Sequence, residues 1–240
     1  LLWLKDYLQL SGLVYKLVPL KSNIKPNGDP FNIGTIDSEK LYKTVTNWYW
    51  GNFDSPDIYH DPQTRKEALM FKIQLRRLAE QLIIEEQFDK AEVILDLAVN
   101  KFPVKYYKPY SDGLQYEFVE PFADLYYAIN KKDKATSLAV ELFTKSEEKL
   151  LFYKGMKATE QNQYGYEIIE SFNTAYRIID NCEMHKDTAT VAALKKRILP
   201  YEKYFQRYLN AYEQQKQEQM EYERQMKQQE QKSLQDSVLE

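Results

Sequence analysis

The sequence predicts a mostly α protein built from antiparallel helical hairpins, with a short N-terminal strand and loop region and a projecting C-terminal helix. Three observations carry that prediction. Apolar residues recur three and four apart at Phe71, Leu75, Leu78 and Leu82, and again at Ala91, Ile94, Leu95 and Ala98, so each set lies on one helix face. Small side chains, Ala79, Ala91 and Ala98, fall where two helix backbones have to approach closely. Seven glycines are few for an all-β chain or a nucleotide-binding α/β chain of 240 residues.

In chain order, residues 1–10 read as a short helix ended by Gly12. Residues 13–20 (LVYKLVPL) are β-branched and aromatic and read as a strand with Pro19 near its end. The prolines and glycines of 21–34 make that stretch a loop. A helix over 38–48 takes Asp37 as its N-cap. Asp61 followed by Pro62 has the form of an N-cap and a first-turn proline, which starts a helix running to about residue 86. Asp89 then reads as the cap of the next helix, with Glu92 three residues on, and Pro103 ends it. After an inserted loop over 104–113, Val119, Phe122, Ala123 and Tyr126 mark one helix and Ala135, Ala139 and Leu142 another, with Asp133 as cap. Two more helices are expected over 147–163 and 166–182, separated at Gly165. A last helix begins at Asp187, with Pro200 as a candidate kink. Its apolar face ends at Tyr212. The Gln-, Glu- and Lys-rich 213–240 is expected to project and fray, and it lacks a sustained heptad.

Leu75, Leu78, Ala79, Leu82, Ala91, Leu95, Ala98 and Pro103 fill the order of large, small and terminal positions of a tetratricopeptide (TPR) repeat. Ala91 and Ala135 are 44 apart. That exceeds the period of about 34 by the roughly ten-residue loop between the hairpins. The expected fold is therefore a TPR-like α-α superhelix, although an ordinary amphipathic hairpin in a bundle has the same periodicity. Three regions follow: 1–60 packing on the repeats, 61–212 as the helical repeat domain, and 213–240 as a helical or frayed tail.

Thirty-three basic and 36 acidic side chains leave a net charge of −3, interspersed along the chain. No basic face for nucleic acid is foreseen. Twenty tyrosines are read first as packing between helices. The single cysteine, Cys182, excludes an intrachain disulfide. No run of 18 apolar residues spans a membrane, and the chain opens on Leu without a signal sequence; a fragment of a longer protein is expected.

The two histidines, His60 and His185, stand in no ligand spacing, so no metal and no cofactor are expected, and no catalytic residue is assigned. Cys182 near His185 has the composition of a nucleophile and base, and equally of a small apolar filler. Carboxylates framed by rings suit sugars. Trp48, Trp50, Phe53, Asp54, Asp57, Tyr59 and His60 are accordingly the candidate ligand contact, with glycan or lipid-linked sugar as the ligand class. The same residues also describe an Asp-rich turn whose rings pack on the hairpin. Tyr106, Tyr107 and Tyr110 in the inserted loop are the candidate partner contact.

Three stretches in order, YLQLSGLVYKLVP (7–19), IDSEKLYKTVTNWYWGN (36–52) and RRLAEQLIIEEQFDKAEVILD (76–96), carry a further resemblance. Together they resemble the C-terminal soluble region of a family of large bacterial multi-spanning membrane proteins of unknown function. The membrane half of that family is similar to the GT-C glycosyltransferases and protein O-mannosyltransferases. The resemblance covers about residues 1–212, and its third stretch fits any TPR protein. It implies a non-catalytic appendage of a membrane glycosyltransferase that binds a partner, with direct contact to acceptor or glycan, or a purely structural or oligomerising role, as the alternatives. The parent would sit in the bacterial inner membrane, with this region facing the periplasm. Its partner would be its own membrane half or another protein. No catalytic residue of the family maps onto this chain.

Overall fold

A computed structural model describes residues 2–19, 21, 33–105 and 120–238, with side chains placed over 4–19, 21, 33–105 and 121–227. Most of these residues are helical, and a small three-stranded sheet stands at the N-terminal end. Tyr106, Tyr107 and Tyr110, the candidate partner contact, lie outside the described residues.

A 3-10 helix, Leu2–Tyr7, leads into β1 (Leu8–Ser11) rather than continuing as the expected α-helix. Gly12 adopts φ +70 as the first of two turn residues, and β2 (Val14–Leu17) returns antiparallel with Leu10 opposite Tyr15. A glycine there provides the positive φ that a two-residue hairpin turn requires. The two-residue β3 (Thr35–Ile36) pairs parallel with β1 on its other side. Gly34, at φ +74, precedes it, and a Cβ there would lie 2.6 Å from the Leu8 carbonyl oxygen.

The helix α1 (Ser38–Thr46) is capped by Asp37, and α2 (Pro62–Ile84) by Asp61, whose Oδ1 accepts from the backbone N–H of Gln63 (2.8 Å) and Thr64 (3.1 Å). Helix α3 (Phe88–Lys101) packs back on α2. A second hairpin, α4 (Glu120–Ala128) and α5 (Lys132–Lys154), leans on the first. After the short α6 (Ala158–Gln161), α7 (Gly165–Met184) packs against α5 and pairs with α8 (Thr188–Val238). One apolar core runs from Leu10 through Leu78, Ala91 and Phe143 to Phe205. Beyond Leu209 the α8 side chains to Lys227 are solvent-exposed on every face. Among the described residues no helix is long and apolar enough to cross a membrane.

The three hairpins turn in one way. Glu86, Asn130 and Lys186 adopt φ of 57, 60 and 57, and the amide after each donates back to the fifth preceding carbonyl: Gln87 to Leu82 (2.8 Å), Lys131 to Tyr126 (2.8 Å) and Asp187 to Cys182 (2.9 Å). This is the Schellman closure, with the left-handed residue at C′. It lets the next helix begin at once. Asp89 and Asp133, expected as caps, therefore lie in the first turns of α3 and α5, behind Gln87 and Lys131. The expected break near 147 is also absent. Phe143, Ser146 and Leu150 continue the buried stripe, so α5 runs on to Lys154, and Gly165 opens α7 instead of separating two helices.

A non-glycine residue in the left-handed region carries about 1–2 kcal/mol of steric strain. Glu86→Gly and Lys186→Gly should each raise stability by about 0.5–1 kcal/mol, glycine's looser unfolded state taking back part of the relief. A thermal melt of the double variant should shift up by a few degrees; a downward shift contradicts the turn assignment.

The sheet is fastened to α2 by a buried cation. Arg77 donates through Nη1 to the Tyr15 hydroxyl (2.7 Å) and through Nη2 to the Ile33 carbonyl (2.7 Å).

Candidate functional site

The segment between α1 and α2 holds the candidate ligand residues, and the structure divides them. Trp48, Trp50 and Phe53 pack on the core. Trp50 stands edge-on to Trp48 (5.2 Å between ring centres), Phe71 (5.7 Å) and the fully buried Phe102 (5.6 Å). Phe53 lies 5.4 Å from Phe102 and stacks on the buried His60 at 6.0 Å. Edge-to-face ring contacts of this kind stabilise the segment beyond the area they bury. His60 also binds α2, its carbonyl accepting from Arg65 Nε at 2.7 Å. Asp54 bridges to Lys101 (3.1 Å to each oxygen), and that hydrogen bond holds its carboxyl below the usual range. Outward stand Asp57 and Tyr59. The Tyr59 ring is 78% exposed, with the Arg65 guanidinium 5.7 Å from its centre. Tyr49, in the same segment, is also exposed.

A second concavity lies on the seam between the first two hairpins. Asp96, Val99 and Asn100 of α3, Tyr126 of α4, and Asp133, Lys134, Ser137, Leu138 and Glu141 of α5 line a groove of about 380 Å³. At one end Asp96 accepts from the Tyr126 hydroxyl (2.9 Å) and Lys134 Nζ (2.6 Å). Lys134 and Lys131 both reach Glu92 at 2.8 Å. Hydrogen bonds from those two lysines hold the Glu92 carboxyl below its ordinary range. Burial, reinforced by Asp96, keeps the Tyr126 phenol protonated far above its ordinary range. Val99 and Leu138 form the apolar floor. Beneath it, with Ala98, Phe102, Val104 and Phe122, they enclose Lys72 and a void of about 10 Å³. A void of that size admits the centre of a single water. Lys72 is only 4% exposed, and burial lowers its ammonium pKa to about 8 against the opposing pull of Glu141.

Cys182 and His185 stand at the third hairpin turn and both meet Tyr127, one at its hydroxyl and the other at its ring face. The buried thiol lies 3.8 Å from the Tyr127 hydroxyl, and burial pushes its pKa up. His185 Nε2 meets Asp124 Oδ1 at 2.8 Å, while its ring stacks on Tyr127 at 4.4 Å. Asp187 anchors this corner. It accepts from Tyr127 (3.0 Å), Thr136 (2.7 Å) and Thr190 (2.8 Å) and pairs with Lys132 (3.1 Å). Burial alone would raise its carboxyl, but the hydrogen bonds from Thr136, Thr190, Lys132 and Tyr127 prevail and hold it well below the carboxylate range. Among the described residues no group of three or more His, Cys, Asp or Glu side chains is disposed to hold a metal ion.

The fold and these sites define a mostly helical chain of stacked hairpins with a polar groove at one seam. Comparison with protein families, curated proteins and solved structures finds no match.

Proposed function

We propose that the chain is a non-catalytic binding scaffold, a TPR-like superhelix that docks a polypeptide. The partner is another protein or the membrane half of its own parent, a bacterial membrane glycosyltransferase that carries this region on its periplasmic side. The observation that supports the reading is the groove between the first two hairpins. It offers an apolar floor and hydrogen-bonding walls at an inter-repeat seam, where stacked helical repeats present binding surface. The repeated turn adds support for the TPR-like part. The left-handed residue falls seven after Ala79 and five before Ala91, and again seven after Ala123 and five before Ala135. Ser137 sits in the groove wall and is exposed. A photo-crosslinking amino acid placed there, in cells of the source organism, should join the chain to a polypeptide, and the adduct should vanish in Asp133→Lys/Glu141→Lys. No polypeptide adduct at Ser137, or one indifferent to the charge reversal, removes this reading.

The second reading is contact with an acceptor glycan or lipid-linked sugar, favoured by the outward Tyr59 ring beside the exposed Asp57. Trp48 and Trp50 stand in the same segment and report on it: a glycan titration that leaves their fluorescence unchanged removes that reading.

A further inference from the structure

Among the described residues, no strand pairs with β2 on its outer side. The order of the N-terminal sheet is β2-β1-β3, so β2 is an edge strand. The Val18 amide donates to the Tyr7 carbonyl at 2.8 Å, in register with the pairs that follow from Leu8–Leu17 to Ser11–Val14. Hydrogen-bonded and non-bonded pairs alternate along an antiparallel ladder. Val14, Lys16 and Val18 therefore bond to β1, while Tyr15 and Leu17 direct their N–H and C=O away from the sheet. Three apolar side chains along this edge are exposed: Val14 is 65% exposed, Leu17 61% and Leu13 42%. Backbone polar groups that meet no strand among the described residues, flanked by exposed β-branched and aliphatic side chains, are a template for another strand.

Lys16, at the centre of the edge, selects the occupant. Among the described residues it makes no ion pair, and Asp37, whose charge it feels, is committed to Lys40 and the start of α1. A second copy pairing antiparallel with its two-fold axis at the centre of the strand would set Lys16 against Lys16, and like charges directly opposite are destabilising. We infer that β2 accepts an added strand from another polypeptide, one that places a carboxylate opposite Lys16 and apolar side chains opposite Val14, Tyr15 and Leu17. Main-chain bonds supply attachment in this mode, and side chains supply choice. The inference rests on the binding-scaffold reading and places a contact at a site separate from the groove.

The experiment titrates the ¹⁵N-labelled 240-residue chain with a blocked hexapeptide, Thr-Val-Glu-Val-Val-Thr, and follows the β2 amides by NMR. The Tyr15 and Leu17 amides should shift and gain severalfold protection from exchange, while those of Val14, Lys16 and Val18 change little. N-methylation of the two valines that face Tyr15 and Leu17 should abolish the shifts. Lysine in place of the peptide's glutamate should weaken binding, and Lys16→Glu in the protein should reverse that order. No shift on β2, shifts that survive N-methylation, or an order indifferent to Lys16→Glu overturns the inference. Crosslinking at Ser137 is read separately: a groove adduct with silent β2 amides removes only the strand proposal, and β2 binding without a groove adduct removes only the groove reading.

Discussion

Replacing Asp187 by alanine is expected to cost about 2–4 kcal/mol of folding stability, because it strands one buried and two part-buried hydroxyl donors at once. The carboxylate, 2% exposed, is the common acceptor for Tyr127 of α4, Thr136 of α5 and Thr190 of α8, and the ion partner of Lys132. Its removal loosens three helices at one corner. Asparagine keeps an acceptor but no charge, so Asp187→Asn should recover part of the loss. The pH dependence has a definite sign. The folded carboxyl titrates below its unfolded value, so its contribution is complete above the unfolded pKa of about 4 and is lost as pH falls beneath it. Urea denaturation should show the wild-type advantage over Asp187→Ala at pH 7 and its shrinkage below pH 4. A difference under about 1 kcal/mol at pH 7 would mean that the hydroxyls find water instead.

Lys72→Met should act in the opposite direction and stabilise the fold by about 1–3 kcal/mol at pH 7. The ammonium sits under the Val99–Leu138 floor, and methionine matches its length while removing the charge. Folding lowers the lysine pKa to about 8, so between pH 8 and the unfolded value of about 10.4 the unfolded chain binds the extra proton. Wild-type stability therefore rises with pH across that window. Lys149, whose pKa burial also lowers, adds to the rise. Denaturation curves at pH 7 and 9.5 should show the wild type gaining on the Lys72→Met variant as pH increases. A variant less stable than wild type at pH 7 would place a compensating partner beside the amine.

Two buried cations are what the sequence did not disclose, for a physical reason. Lys72 and Arg77 stand on α2 among Glu, Gln and Arg, and helical charges usually face solvent; only the arrival of α5 over one and of β2 over the other buries them. Local chemistry was legible. Asp37 and Asp61 cap α1 and α2 because an Asx side chain reaches amides two and three residues on, whatever the tertiary structure. The first two hairpin turns end earlier than expected because their left-handed positions carry Glu86 and Asn130 where a glycine would have marked them, while the third falls where Asp187 was expected to cap α8. β3 is two residues long and exists only through β1. The aromatic segment was found by composition, yet composition does not say which way a ring faces. The meeting of Phe71 and Phe102 drew Trp50 and Phe53 inward and left Tyr59 outside. The groove gave no such sign, since Asp133 reads as a cap and Asp96 and Glu141 carry no mark in the sequence until α3 and α5 are set side by side.

The surface by which the scaffold works is tested most directly by a hydrogen-exchange footprint, taken with and without the polypeptide identified through Ser137. The account predicts added protection over 92–104 and 133–141, the two walls of the groove. Protection confined to 48–61, with both walls unchanged, would contradict it and place recognition at the aromatic segment.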